Sequence, residues 1–202
     1  MIKKLLFICT IFGITHATKA QSQIPNKAED ISPLLIGERI PNANLLDVEG
    51  HEIQLKDIIK VKPTVLVFYR GGWCPYCNTQ LSSLAESENE IIELGYQIVA
   101  ISPDHYENLK STMEADKVTY NLYADPEAIL IQDMGIGFKT PSMAKMYIAN
   151  KTKMDATDIL PVPTVMILNT FGDILFEYIN PNYKVRLSSE LLLASLKVLK
   201  AE

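Results

Sequence analysis

Cys74-Pro75-Tyr76-Cys77 sets two thiols two residues apart in a chain of 202 residues whose third cysteine is Cys9. Two sulfurs at that spacing can close to a disulfide and reopen, with one thiolate attacking and its neighbour resolving. The same pattern is also half of many zinc sites, but a structural zinc needs about four ligands. No second C-x-x-C exists here, and His51 and His105 lie far from the pair in sequence. A staple is also a poor use for the pair, because so short a loop removes little entropy from the unfolded chain. Reversible thiol chemistry is what remains.

Such a pair needs elements to position it. Thr64-Val65-Leu66-Val67-Phe68-Tyr69 is a continuous apolar, β-branched run of the kind buried on both faces of a central strand. Gly71-Gly72 breaks it, and a helix is predicted to open at Cys74–Cys77. Leu81, Leu84, Ala85, Ile91 and Ile92 give that helix its apolar stripe, and Gly95 its C-terminal stop. A helix N-terminus offers free N–H groups and partial positive charge, which favour thiolate over thiol. Cys74 is then the solvent-facing attacker and Cys77, one turn on, the deeper resolving thiol. Trp73 would shield the disulfide and offer a flat apolar contact, with Pro75 and Tyr76 as supporting residues beside the sulfurs.

The rest of the chain alternates in the same way. Asn44–Leu55, with a turn at Glu49-Gly50, reads as a hairpin. Gln97–Ile101 is a second buried strand, His105–Lys117 a helix, Asn121–Tyr123 a short strand and Asp125–Gly135 a third helical stretch. Lys139–Leu160, with three methionines, reads as mixed loop and helix, either a substrate-facing flap or ordinary packing. Val162–Leu168 and Ile174–Tyr178 bracket a turn at Thr170–Asp173, and a last helix starts at Ser188. This order predicts an α/β, thioredoxin-like fold: a central mixed sheet flanked by helices, with an N-terminal β-hairpin extension.

The first twenty residues read as a signal peptide, with Lys3 and Lys4 ahead of an apolar Leu5–Thr15 and a small-residue cleavage site ending at Ala20. The apolar run is short of the roughly 20 residues that span a bilayer. The expected organisation is therefore signal peptide 1–20, flexible lead-in 21–32 and one domain 33–202, exported to the periplasm or cell exterior. Cleavage there removes three lysines and no acid, carrying the formal charge from −5 to −8. So acidic a chain is not built for nucleic acid.

In thioredoxin-fold proteins a cis-proline packs beside the C-x-x-C and bares the preceding backbone for a substrate strand. Val162-Pro163-Thr164 is placed to fill that role. From Ile36 onward the chain resembles the AhpC/TSA peroxiredoxin-like proteins of that superfamily. Their P-x-x-x-T-x-x-C motif, counted from Phe68-Tyr69, sets the peroxidatic cysteine on Cys77, the threonine on Cys74 and the proline on Arg70. The family's later, peroxide-holding arginine aligns with Pro163. Three of four positions thus depart from the family pattern, and Arg70 and Arg186 are the candidates to restore the missing guanidinium. The aspartate that serves the deeper thiol in thioredoxins has no counterpart within Val65–Tyr69.

Two enzymatic readings follow from the pair and the resemblance. In the first, the protein is a thiol–disulfide oxidoreductase in which Cys74 attacks a protein disulfide and Cys77 resolves the mixed disulfide. The Pro75-Tyr76 dipeptide matches that of glutaredoxins, which implies a potential between theirs and thioredoxin's. In the second, it is a thiol peroxidase in which Cys77 is oxidised by a hydroperoxide and Cys74 condenses with it. A non-catalytic binding protein with a vestigial pair is the third. Either enzyme needs a thiol reductant, thioredoxin-like in kind, and neither needs a metal or organic cofactor.

Overall fold

The structure, a computed structural model, describes residues 23–200; the expected signal peptide and its cleavage point lie outside them. In chain order the strands are β1 (Asn44–Leu46), β2 (Glu52–Gln54), β3 (Thr64–Phe68), β4 (Gln97–Ser102), β5 (Asn121–Ala124), β6 (Gly137–Lys139), β7 (Ile159–Pro161), β8 (Thr164–Leu168) and β9 (Ile174–Ile179). The helices are α1 (Leu55–Ile59), α2 (Pro75–Glu93), α3 (Leu109–Asp116), α4 (Ile129–Asp133), α5 (Ser142–Thr152) and α6 (Ser189–Lys200).

Seven strands make one sheet in the order β2-β1-β5-β4-β3-β8-β9. The centre, β3 with β4 and β5, is parallel, while β8, β9, β1 and β2 run antiparallel to their neighbours. Every residue of β3 and β8 is buried, which is why both segments read as unbroken apolar runs rather than alternating ones. The two-residue period divides them between two cores. Val65, Val67, Tyr69, Val165 and Ile167 face α2, α3 and α6, meeting Leu81, Leu84, Ile91, Leu192 and Leu196. Leu66, Phe68, Met166 and Leu168 face the other way onto α1 and α4. The result is a thioredoxin-like fold.

Several elements differ from expectation. Leu55 ends the hairpin's second strand in sequence, yet it opens α1, whose Leu55, Ile58 and Ile59 plug the second core. Lys139–Leu160 contributes one helix, α5, and lends its two ends to a separate sheet of β6 and β7. The lead-in expected to be flexible is held from Pro25 onward. Pro25 O accepts Lys139 N–H at 2.9 Å, Ser32 N–H reaches Gly135 O at 3.1 Å, and Leu34 N–H reaches Met134 O at 3.2 Å. Ile24 and Leu34 pack against the second core, and that apolar contact is what fixes the segment.

Candidate active site

β3 delivers the site. After Phe68 the backbone keeps pairing for one residue, with Tyr69 N–H on Ile101 O at 3.0 Å. It then turns sharply through Gly71, at φ +139°, and Gly72. A Cβ on Gly72 would stand 1.9 Å from Thr112 Oγ1 of α3, so only glycine lets this loop lie against that helix. Asp104, just past the end of β4, fastens the loop. Its buried carboxylate accepts from Gly72 N–H at 3.2 Å, His105 N–H at 3.0 Å and Asn108 Nδ2 at 2.8 Å. Burial raises its pKa. Two of its three partners are backbone N–H groups and the third is the Asn108 amide, and only the folded loop brings Gly72 near.

Cys74 is the N-cap of α2 and Pro75 the first helical residue, where a missing N–H costs nothing. Cys74 O accepts from Cys77 N–H at 3.0 Å and Asn78 N–H at 3.1 Å. No S–S bond joins the two sulfurs. Contrary to the expectation that Cys74 faces solvent, it is buried, as Cys77 is. What Cys74 meets is a cavity of about 380 Å³ walled by Arg70, Trp73, Tyr76, Tyr147 and Tyr183. The cover comes from α5, whose Met143, Ala144 and Tyr147 reach over the pair; part of the methionine-bearing segment therefore does face the site.

The two thiols are electrically unlike. The Cys74 pKa is lowered to about 6, first by the Cys77 thiol donating to it, then by the Cys77 backbone N–H and the charges of Arg70 and Arg186, all against the cost of burial. Cys77 is pushed well above its ordinary value, first by burial and then by Cys74. The pair therefore holds one proton and one negative charge near neutrality, and its titration belongs to both sulfurs together.

Both candidate arginines come to the sulfurs. Arg186 Nη2 donates to Cys77 Sγ at 3.3 Å, while its Nε and Nη1 are buried without a partner. Arg70 is 9% exposed, its guanidinium carbon 4.4 Å from the Tyr183 ring centre and 5.0 Å from that of Trp73. Tyr76 stands edge-on to Tyr183 at 5.7 Å, and Trp73 to Tyr147 at 6.1 Å. Nothing in the sequence marked Tyr147 or Tyr183, since a lone tyrosine in a loop or on a helix has no spacing signature.

Val162 and Pro163 do not take the role expected of them. No peptide bond is cis among the described residues. Val162 N–H is bound to Ile136 O at 2.9 Å, and its carbonyl accepts Thr164 Oγ1 at 2.9 Å. Pro163 O accepts Asn180 N–H at 3.2 Å. The small β6–β7 sheet runs directly into Val162 and consumes the backbone groups that would otherwise pair with a substrate strand. Neither residue lines the cavity beside Cys74.

A strand-to-helix dithiol with one lowered thiol, on a mixed sheet covered on both faces, defines a thiol-based redox protein of the thioredoxin superfamily. The sequence profile of the AhpC/TSA family matches residues 36–176, and the chain belongs to that family. Among relatives, the putative peroxiredoxin bcp of Haemophilus influenzae is 27% identical over 117 residues, spanning 58% of this chain and 75% of that protein. The 1-Cys peroxiredoxin PER1 of Triticum aestivum is 25% identical over 175 residues, spanning 83% of this chain and 74% of that protein. Among solved structures, reduced Prx3 from Vibrio vulnificus in complex with hydrogen peroxide superposes with a TM-score of 0.69 at 18% identity, over 81% of this chain and 99% of that one. The last likeness establishes the fold.

Proposed function

We propose that this protein is a thiol peroxidase that splits hydroperoxides at Cys77 and closes a Cys74–Cys77 disulfide in each turnover. The observation that carries this reading is the Arg186 guanidinium 3.3 Å from Cys77 Sγ, at the cysteine that fills the family's peroxidatic position. Cys77 passes its proton to Cys74 along the hydrogen bond between them and becomes a thiolate beside Arg186. Its sulfur attacks the terminal hydroperoxide oxygen; the S–O bond forms and the O–O bond breaks. The departing alkoxide takes the proton from Cys74 and leaves as the alcohol. Charge moving across the O–O bond is met by Arg186, whose Nε and Nη1 are without partners. The Cys74 thiolate then attacks the Cys77 sulfenic acid, forming the S–S bond and expelling hydroxide, which a solvent proton converts to water. A thioredoxin-like dithiol attacking Cys74 Sγ returns two electrons and restores the pair.

A second reading rests on Cys74 alone. Its pKa of about 6 and its place in the cavity wall suit it to attack a disulfide first, with Cys77 resolving. Stopped-flow mixing of the reduced single-cysteine variants separates the two. In the peroxidase, Cys74→Ser consumes one equivalent of hydrogen peroxide rapidly and Cys77→Ser does not. If instead Cys77→Ser traps a protein disulfide as a stable adduct while neither variant consumes peroxide, the disulfide-exchange reading replaces it.

A further inference from the structure

More positive charge stands around the Cys74–Cys77 pair than the thiols can balance: Arg70 lines the cavity beside Cys74, and Arg186 lies outside that lining, at Cys77. Arg70 and Arg186 both border the pair, and neither forms an ion pair with a carboxylate among the described residues. The nearest buried acid in the loop, Asp104, is committed to Gly72, His105 and Asn108. Three guanidinium nitrogens, Arg70 Nε with Arg186 Nε and Nη1, are buried without acceptors. The sulfurs share one negative charge, so one guanidinium charge is left over. Desolvating an unpaired cation is costly, and stacking between aromatic rings returns only part of the cost. Such a charge marks a place for an anion in an otherwise acidic chain, of net charge −5.

We propose that Arg70, clamped between Trp73 and Tyr183, is an anion-binding residue of this cavity, and that the cavity takes small organic substrates carrying a carboxylate beside an apolar body. The volume of about 380 Å³ is that of a small-molecule site. Its walls fit the two halves of such a molecule. Tyr76, Tyr147 and Met143 supply apolar surface, and the Arg70 fork supplies planar, two-point recognition of a carboxylate. A neutral, fully polar ligand would satisfy neither half. The inference rests on the thiol peroxidase reading, with the cavity beside Cys74 as the way to the pair, and it refines the substrate class of that site.

Alkylation of Cys74 in the reduced full chain tests it without any peroxide turnover. Iodoacetate and iodoacetamide both require the thiolate and both lose iodide to it, so the ratio of their rates is independent of the thiol's pKa and reports only the charge of the reagent. The expected ratio for Cys74, read by mass spectrometry, exceeds that of glutathione on the order of tenfold. It falls to the glutathione value in Arg70→Met and partway in Tyr183→Leu, which leaves the charge but removes one face of the clamp. 3-Phenylpropionate is expected to slow iodoacetamide in the wild type but not in Arg70→Met, and its methyl ester in neither. A wild-type ratio equal to that of glutathione overturns the proposal. So does a ratio that survives Arg70→Met in a protein whose circular dichroism is unchanged, or equal protection by acid and ester. A high ratio in a protein that consumes no hydroperoxide sinks the peroxidase reading and leaves the anion site standing.

Discussion

A free cysteine titrates near 8.5, so a Cys74 pKa of about 6 means that most of it is thiolate at neutral pH. The rate of Cys74 alkylation against pH is expected to rise with a midpoint near 6. Cys77→Ala removes the donated hydrogen bond, the largest cause of the lowering, and should move that midpoint up by more than Arg186→Met does. The lowered value also links pH to stability. The thiolate's contribution is fully present above the unfolded thiol's pKa and is lost as pH falls through the folded one. Between about pH 6 and 8.5 the reduced protein should therefore gain thermal stability with rising pH, a trend absent from the disulfide form. Calorimetry of the two forms across that window checks it. Arg186→Met should slow peroxide consumption on the order of a hundredfold, the usual loss when one charge-stabilising donor is removed. A stopped-flow rate within twofold of wild type would remove Arg186 from the chemistry.

At the scale of elements, the loop that carries the pair depends on contacts with helices far away in sequence. Gly72→Ala forces a methyl into Thr112 and is expected to destabilise the fold by about 1–3 kcal/mol, as overpacking does; adding Thr112→Ala should recover part of that in a urea titration. Asp125 plays a comparable part for α4, with Oδ1 on Ile129 N–H at 2.9 Å and Oδ2 on Ile131 N–H at 3.0 Å. Burial nevertheless raises its pKa to about 6. A raised acid contributes stability that is present below its unfolded pKa and lost as pH climbs through the folded one. Stability should thus slope downward from about pH 4 to 6, and Asp125→Asn should flatten the slope. What was legible in the sequence at this scale was whatever local pattern alone determines. Val65–Phe68 and Gln97–Ile101 announced themselves because both faces of each strand are buried. Ser188 announced α6 as a cap, and its Oγ does accept Leu191 N–H at 3.3 Å. α1 and the β6–β7 sheet were not legible, since three-residue strands and a five-residue helix are too short to show a period. The site divides in the same way: the sulfurs follow from spacing, whereas Tyr183, Tyr147 and the Asp104 clasp exist only through tertiary contact. Pro163 misled because a Val-Pro-Thr ahead of a strand says nothing of whether its neighbours' backbone groups are already taken.

Taken whole, the proposed Cys74–Cys77 couple exchanges two electrons with a proton count that the fold sets. Below about pH 6 both sulfurs of the reduced pair carry protons, and above it one does. Its reduction potential should fall by about 59 mV per pH unit in acid and about 30 mV per unit near neutrality. Equilibration against glutathione buffers from pH 5 to 8 would reveal the break, and a single slope throughout would mean that the pair does not hold its lone proton as the geometry indicates. A stabilised reduced form also makes the couple more oxidising than an unperturbed dithiol would be.

The hydrogen bond from Val162 to Ile136 bears on which clients this protein can serve. With that ledge sealed from within, no incoming polypeptide can pair its main chain with the Val162 N–H. On the proposed reading, substrate reaches the sulfurs end-on, as a compact molecule or the tip of a loop, through the aromatic vestibule of Trp73, Tyr76, Tyr147 and Tyr183.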